Sequence, residues 1–155
     1  MLTIRKYPDD ILSVKCVPIP KEVILQIMAN YIREMRELMN LAKGIGLSAP
    51  QVGLPYRFFI TNLPAIPIAF NPIIVGSSRE ASEEMEGCLS LPGQQVLVKR
   101  PDRIRLRYQD WNGNPHDKLF GGITARVIQH ECDHLDGLSI NRFITTTSTT
   151  TTCAS

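Results

Sequence analysis

Two histidines four residues apart, His130 and His134, bracket an acid in the run Gln129-His130-Glu131-Cys132-Asp133-His134. On an α-helix, positions four apart share a face, so both imidazoles can grip one metal ion. Glu131, about 100° further round, can then reach water held at that metal. These are two of only 3 histidines in the chain, which makes an incidental surface pair the poorer reading. A hydrolytic metal site usually takes three protein ligands and leaves one position open. No Asp, Glu or His follows Asp136, so the downstream third ligand of the familiar zinc peptidases is excluded. Cys132 lies roughly 160° from His130 around the helix and cannot join it. Cys153 sits in the tail TTTSTTTTCAS, and Cys16 in a proline-bracketed segment with no other chemical residue beside it. Cys88 is different. It stands in Glu86-Gly87-Cys88-Leu89-Ser90, where the glycine permits close backbone approach and the flanking carboxylate and hydroxyl can orient the ligands. An isolated cysteine is more often apolar filler; the need for an upstream ligand reverses that order.

A third cluster, Gly44-Ile45-Gly46-Leu47-Ser48-Ala49-Pro50-Gln51, has glycines and small residues that could bring main chain alongside a bound substrate. The Gln51 amide could donate to an oxygen that becomes negative during a reaction. Alone this is weak, since glycine after a helix is a common cap. It fits neither G-x-x-x-x-G-K-[ST] nor G-x-G-x-x-G, so it is not a phosphate loop.

Three kinds of element must position these clusters. Between Lys21 and Lys43 the residues Ile24, Ile27, Met28, Tyr31, Met35, Leu38, Met39 and Ala42 recur every three or four positions, the stripe of one long amphipathic helix that Gly44 ends. From Gly44 to Asn114 the pattern turns to short β-branched or aromatic runs, RFFITN, IPIAFNPIIVG, QQVLVKR and DRIRLRYQD, divided by proline, glycine and asparagine. In the last of these Ile104, Leu106 and Tyr108 alternate with Arg103, Arg105 and Arg107, one face buried and the other basic and solvated. Asn112-Gly113 is a hairpin turn signal after it. A second helix is expected over Ile123 to Asp136, with Thr124 as cap, Gly137 as stop, and Ala125, Val127, Ile128 and Leu135 as apolar surface. Residues 145–155 have almost nothing to bury and are expected to be a disordered tail behind one catalytic domain, 1–144.

The 155 residues suit one core, and 43% hydrophobic with 21% charged residues is ordinary for a globular chain. A net charge of +2 argues against tight non-specific nucleic-acid binding. No apolar run reaches export-signal or membrane-spanning length. The expected location is therefore the cytoplasm, an organelle matrix or stroma, or a host cytoplasm for a virus-borne gene. The 4 cysteines there are free, metal-binding or buried thiols rather than a disulfide framework.

The three clusters in this order resemble the motifs of peptide deformylases, G-x-G-x-[AS]-A-P-Q, E-G-C-L-S and Q-H-E-x-D-H-L-x-G, over nearly all of residues 1–144. Ser48 in the first motif is similar to forms found in plastid-type and some bacterial members. The resemblance implies an α+β fold, with short antiparallel or mixed sheets around the metal-binding helix. It implies hydrolysis of the N-formyl group from N-formylmethionyl polypeptides, with release of formate. It implies that Cys88, His130 and His134 bind one divalent metal, Fe(II) in the cell, with zinc, nickel or cobalt accepted. Glu131 would take a proton from the attacking water and deliver one to the leaving amine. Gln51 and the backbone N–H of Leu89 would stabilise the oxyanion. Gly44, Ile45, Gly46, Glu86, Gly87, Leu89 and Val127 would border the substrate, with Glu86, Leu89, Val127 and His130 near the pocket for the methionine side chain. The peptide main chain would pair in extended form with Gly44 to Gly46 and Gly87 to Leu89. A monomer is expected. Many bacterial members dock on the ribosome with a further C-terminal helix, whereas only the threonine-rich tail follows Ile144 here, so that route is in doubt. The competing readings are a metallopeptidase or other metal amidase, which would need another third ligand, and a non-catalytic metal-binding protein, which would have no use for Glu131.

Overall fold

The computed structural model describes residues 1–144. Its order is α1 (Lys21–Asn30), α2 (Ile32–Leu41), β1 (Gly46–Ser48), β2 (Phe58–Thr61), β3 (Ile68–Ser77), β4 (Ala81–Cys88), β5 (Leu91–Pro101), β6 (Arg103–Gln109), β7 (Pro115–Gly121) and α3 (Gly122–Leu135). Short 3-10 turns cover Asp10–Ser13, Ala49–Val52 and Ile140–Phe143. The α+β expectation holds, with antiparallel pairing throughout the two sheets. One sheet has the order β1-β2-β3-β6-β7, and β4 and β5 form a separate two-stranded sheet.

The five-stranded sheet is covered on both faces at its β2–β3 end, and strand alternation decides which residue serves which side. Phe58, Ile60, Ile68 and Phe70 join Ile24, Ile27, Met35 and Met39 of the N-terminal helices in one core. Phe58 and Phe70 stack with ring centroids 5.2 Å apart. Phe59 and Ala69, in the opposite phase, join Ile104, Leu106 and Tyr108 with Ala125, Ile128, Cys132 and Leu135 of α3 in the other. The faces of β6 are as expected, Ile104, Leu106 and Tyr108 inward and the three arginines exposed. Burying one large apolar side chain contributes roughly 1.5–3 kcal/mol, so α3 is pinned firmly on its core side while its other face is left for chemistry.

The expected single helix over Lys21 to Lys43 is corrected to two. Tyr31, at φ −123°, separates α1 from α2, although its N–H still reaches Ile27 O and its own carbonyl still accepts from Met35. At about 100° per residue, the midpoint of Ile24 and Ile27 lies roughly 80° from the midpoint of Ile32, Met35 and Met39 on a straight helix. The break re-aims the second half so that both sets are buried. The stop is also shifted. Lys43 takes the left-handed conformation (φ 56°), and Gly44 N–H bonds to Met39 O while Lys43 N–H bonds to Asn40 O, a Schellman closure.

α3 begins one residue earlier than expected, with Gly121 at its N-cap, so Thr124 is an ordinary first-turn residue and not the cap. Gly137 (φ 75°) does end it: Leu138 N–H returns to Asp133 O, and a Cβ on Gly137 would lie 2.7 Å from Ser13 O. The Asn112-Gly113 signal falls in the five-residue β6–β7 connection. There Asp110 accepts from the N–H groups of Asn112 and Asn114. Three strands were not anticipated, the first being β1, three residues within the glycine-rich segment that pair with β2. β4 is acidic and without alternation, and β7 opens on proline; both are set by long-range pairing. Within the described residues α3 is followed only by the 3-10 turn Ile140–Phe143. The expected tail, 145–155, lies outside them.

Candidate metal centre and substrate cleft

The inner face of α3 turns toward β4 and the segment after it. Cys88 ends β4, where the pairing shifts from Glu86↔Val96 to Cys88↔Leu91. Four residues of β5, 92–95, thus loop out opposite Gly87, and the irregularity brings the Cys88 thiol toward α3. The Cys88 Sγ lies 3.3 Å from His134 Nε2, which lies 3.2 Å from His130 Nε2. All three donor atoms fall within 4.8 Å of one another. Tetrahedral donors about 2.0–2.3 Å from one ion stand roughly 3.3–3.7 Å apart, so the spacing and the sulfur–nitrogen donor set fit a divalent transition metal. One imidazole is also oriented for it. His130 Nδ1 faces Glu86 Oε1 at 2.9 Å, which leaves Nε2 to the centre.

Glu86 is itself held fast. Arg100 donates to it twice, from Nε at 2.6 Å and from Nη2 at 2.9 Å, and Arg126 Nη1 donates at 2.7 Å. Burial alone would raise the Glu86 carboxyl, but the contacts with His130 and Arg100 hold it down at about 2. Arg100 Nη1 continues to Asp133, on α3, at 2.9 Å. Burial alone would lower His130, yet the Cys88 sulfur and the Glu86 carboxylate facing it push it up to about 10. Burial, with the neighbouring His130, holds His134 well below its ordinary value.

Glu131 lies on the same face and is 3% exposed. Burial pushes its carboxyl up to about 7, where it can take and give protons near neutrality. Among the described residues, the buried side-chain atoms without a partner are Glu131 Oε2 and His134 Nδ1. An orphaned carboxylate oxygen beside three converging donors is the mark of a group that acts on something bound there. Gly46 makes this packing achievable, because a Cβ there would lie 2.6 Å from Glu131 Oε1.

Gln51 sits in the 3-10 turn after β1. Its Oε1 accepts from Ser48 N–H and from Ser48 Oγ, each at 3.0 Å, which fixes the amide so that Nε2 turns to Ser90 Oγ (3.2 Å) and Cys88 Sγ (3.6 Å). Leu89 packs on Gly44, where a Cβ would lie 2.8 Å from its Cδ1. A cleft of about 840 Å³ opens over this centre. Every other residue singled out in the sequence, Gly44, Ile45, Gly46, Glu86, Gly87, Leu89 and Val127, lines it with Gln51, Cys88, His130 and Glu131; His134 is buried behind. Cys132 faces the opposite core, as helical spacing required, and Cys16 is buried there too.

Arg100 and Arg126 were missed, and both carried a signal. Arg100 stands in phase with the inward-facing Val96 and Val98, and Arg126 stands one helical turn before His130. Ser48, noted only as a motif variant, is the hydroxyl that sets the Gln51 amide.

The family model for polypeptide deformylase matches residues 1–148. The peptide deformylase of Dictyoglomus turgidum is 42% identical over 141 residues, 90% of this chain and 90% of that one. That of Borreliella burgdorferi is 42% identical over 135 residues, covering 85% and 81%. The crystal structure of peptide deformylase from Thermotoga maritima superposes with a TM-score of 0.87 at 36% identity, over 94% of this chain and 98% of that chain. The Plasmodium falciparum peptide deformylase in complex with an inhibitor does so with a TM-score of 0.84 at 38% identity, over 96% and 92%. With the family model and these relatives covering nearly the whole sequence, the chain belongs to the polypeptide deformylase family.

Proposed function

We propose that this protein hydrolyses the N-formyl group from N-formylmethionyl peptides, as a metal-dependent amidase that releases formate. The observation that carries the reading is the convergence of Cys88, His130 and His134 beside the unpartnered, buried carboxylate of Glu131. Those three side chains would hold a divalent metal, which would supply Lewis-acid chemistry: a lowered pKa for water and polarisation of the formyl carbonyl. The donor set suits Fe(II), the ion we assign in the cell, and equally zinc, nickel or cobalt.

The chain's own residues supply the rest. Glu131 takes the proton of the attacking water and returns one to the amine nitrogen as the C–N bond breaks. Gln51 Nε2 and the Leu89 N–H donate to the formyl oxygen as it becomes negative. The methionine side chain lies near Glu86, Leu89, Val127 and His130, with Ile45 and Gly46 bordering the substrate; the aliphatic side chains among them suit an unbranched thioether. β1 is an edge strand, paired only with β2, and its open side borders the cleft. The substrate main chain pairs in extended form with Gly44 to Gly46 on that side and with Gly87 to Leu89 on the other. Main-chain pairing does not read side chains, which suits an enzyme acting on many nascent sequences.

The catalytic unit we assign is 1–144, acting as a monomer in the cytoplasm or an organelle matrix. Free thiols at Cys16, Cys88 and Cys132 support a reducing compartment. Among the described residues no helix is long and apolar enough to cross a membrane. The metallopeptidase and non-catalytic readings have no observation in their favour. Anaerobically prepared protein incubated with a formyl-Met peptide tests the proposal: formate release supports it, and its absence with metal fully bound rejects it.

A further inference from the structure

The β4–β5 sheet shares no ladder with the five-stranded sheet, yet it carries Cys88 while α3 carries His130 and His134. Something other than strand pairing must set the distance between the thiol and the imidazoles. Arg126 on α3 spans that gap with one guanidinium. Its Nη2 donates to Ser82 O of β4 at 2.6 Å, and its Nη1 to Val98 O of β5 at 3.0 Å and to Glu86 Oε2 at 2.7 Å; its Nε lies 3.4 Å from Glu84 Oε2. One side chain thus grips both strands of the hairpin and the carboxylate that orients His130. It stands four residues before His130 and eight before His134, on their face of the helix. The residue is 8% exposed, and its stem also lines the cleft.

We propose that Arg126 is a positioning residue, a strap between α3 and the β4–β5 hairpin that fixes the separation of Cys88 from the two histidines and with it the affinity for metal. The inference rests on the metal-centre reading above. Arginine is the residue the geometry demands. A planar fork with five donors can satisfy two carbonyls and a carboxylate together, whereas a lysine ammonium is a compact point charge on a flexible stem. The neighbouring Arg100 also joins the hairpin to α3, from β5 to Asp133, but it bonds carboxylates alone and grips the main chain of neither strand.

The test is Co(II) binding to the full chain, by chelator competition and by the thiolate-to-cobalt charge-transfer absorption, for wild type, Arg126→Lys, Arg126→Met and Arg57→Met. Arg57 bonds Leu135 O and Asp136 at the C-terminal end of α3, beyond His134, and makes no hydrogen bond to the β4–β5 hairpin. It therefore reports ordinary destabilisation. Losses of roughly 10–100-fold in affinity are expected for Arg126→Met, the usual scale for residues that orient metal ligands. A smaller loss with a weakened charge-transfer band is expected for Arg126→Lys, and no loss for Arg57→Met. Should Arg126→Met fail to fold, Arg126→Lys decides alone. Wild-type affinity and spectrum in the folded Arg126 variants would overturn the strap, as would an equal loss in Arg57→Met. Failure of the wild type itself to bind Co(II) would instead overturn the metal-centre reading.

Discussion

Replacing Gly46 by alanine moves the proposed base without touching it chemically. The Cβ would sit 2.6 Å from Glu131 Oε1, 3.1 Å from its Cδ and 3.2 Å from its Cγ. Ordinary contact begins near 3.4 Å, so the carboxylate must retreat by about 0.8 Å (3.4 − 2.6). Glu131 is 3% exposed, so it has no solvent to swing into, and the retreat displaces the oxygen that handles the proton. A misplacement of about 1 Å costs on the order of 100-fold in rate, or about 2.7 kcal/mol of barrier. The fold should barely notice. Gly46 lies in β1 with no positive φ, so alanine is compatible there and restricts the unfolded chain by roughly 0.4–1 kcal/mol, offsetting much of the crowding. Metal content is untouched, since no ligand moves. Formate release from a formyl-Met peptide, with metal content and thermal unfolding measured on the same sample, checks all three. Activity within about threefold of wild type at full metal occupancy would refute the argument; so would loss of activity that tracked loss of metal or of fold.

Glu131→Gln should keep the metal and lose nearly all turnover, read by comparing metal content with formate release; appreciable activity would remove Glu131 from its role. Cys88→Ala should weaken metal binding beyond chelator competition while the core, which does not depend on the thiol, stays folded by circular dichroism. Stripping the metal should abolish formate release and lower the unfolding temperature, and reloading with Co(II) should restore both. The Asp110 carboxyl tests the β6–β7 turn. Burial would raise it, but His116 and the N–H groups of Asn114 and Asn112 hold it below its usual 3.8. A lowered carboxyl contributes stability that is present above the unfolded value and lost as pH falls below it. The stability gap between wild type and Asp110→Asn should therefore shrink as pH falls below 3.8, as denaturant unfolding at each pH would reveal. A gap that does not change over that fall would show the turn contacts to be idle.

The chemistry was legible in the sequence because it is local. Histidines four apart on a helix share a face whatever surrounds them, and Gly137 marks the end of that helix by its own backbone preference. The alternation of Ile104, Leu106 and Tyr108 with arginines likewise states its faces without a partner. Cys88 was reached by elimination and motif, as the only upstream thiol in a setting that could approach the helix.

Tertiary structure decided what depends on a partner. The break at Tyr31 follows from where the sheet needs Ile32 and Met35, and no local breaker in the sequence announces it. β4 exists because β5 pairs with it; alone, its acidic run would not choose a strand. The same holds for the polar lattice behind the metal centre. Arg100 and Arg126 lie 26 positions apart (126 − 100) and converge on Glu86 only when the hairpin folds onto α3. Sequence spacing fixes which atoms share a helix face. The distance between a thiol on one sheet and two imidazoles on a helix is set by the packing and hydrogen bonds that join them.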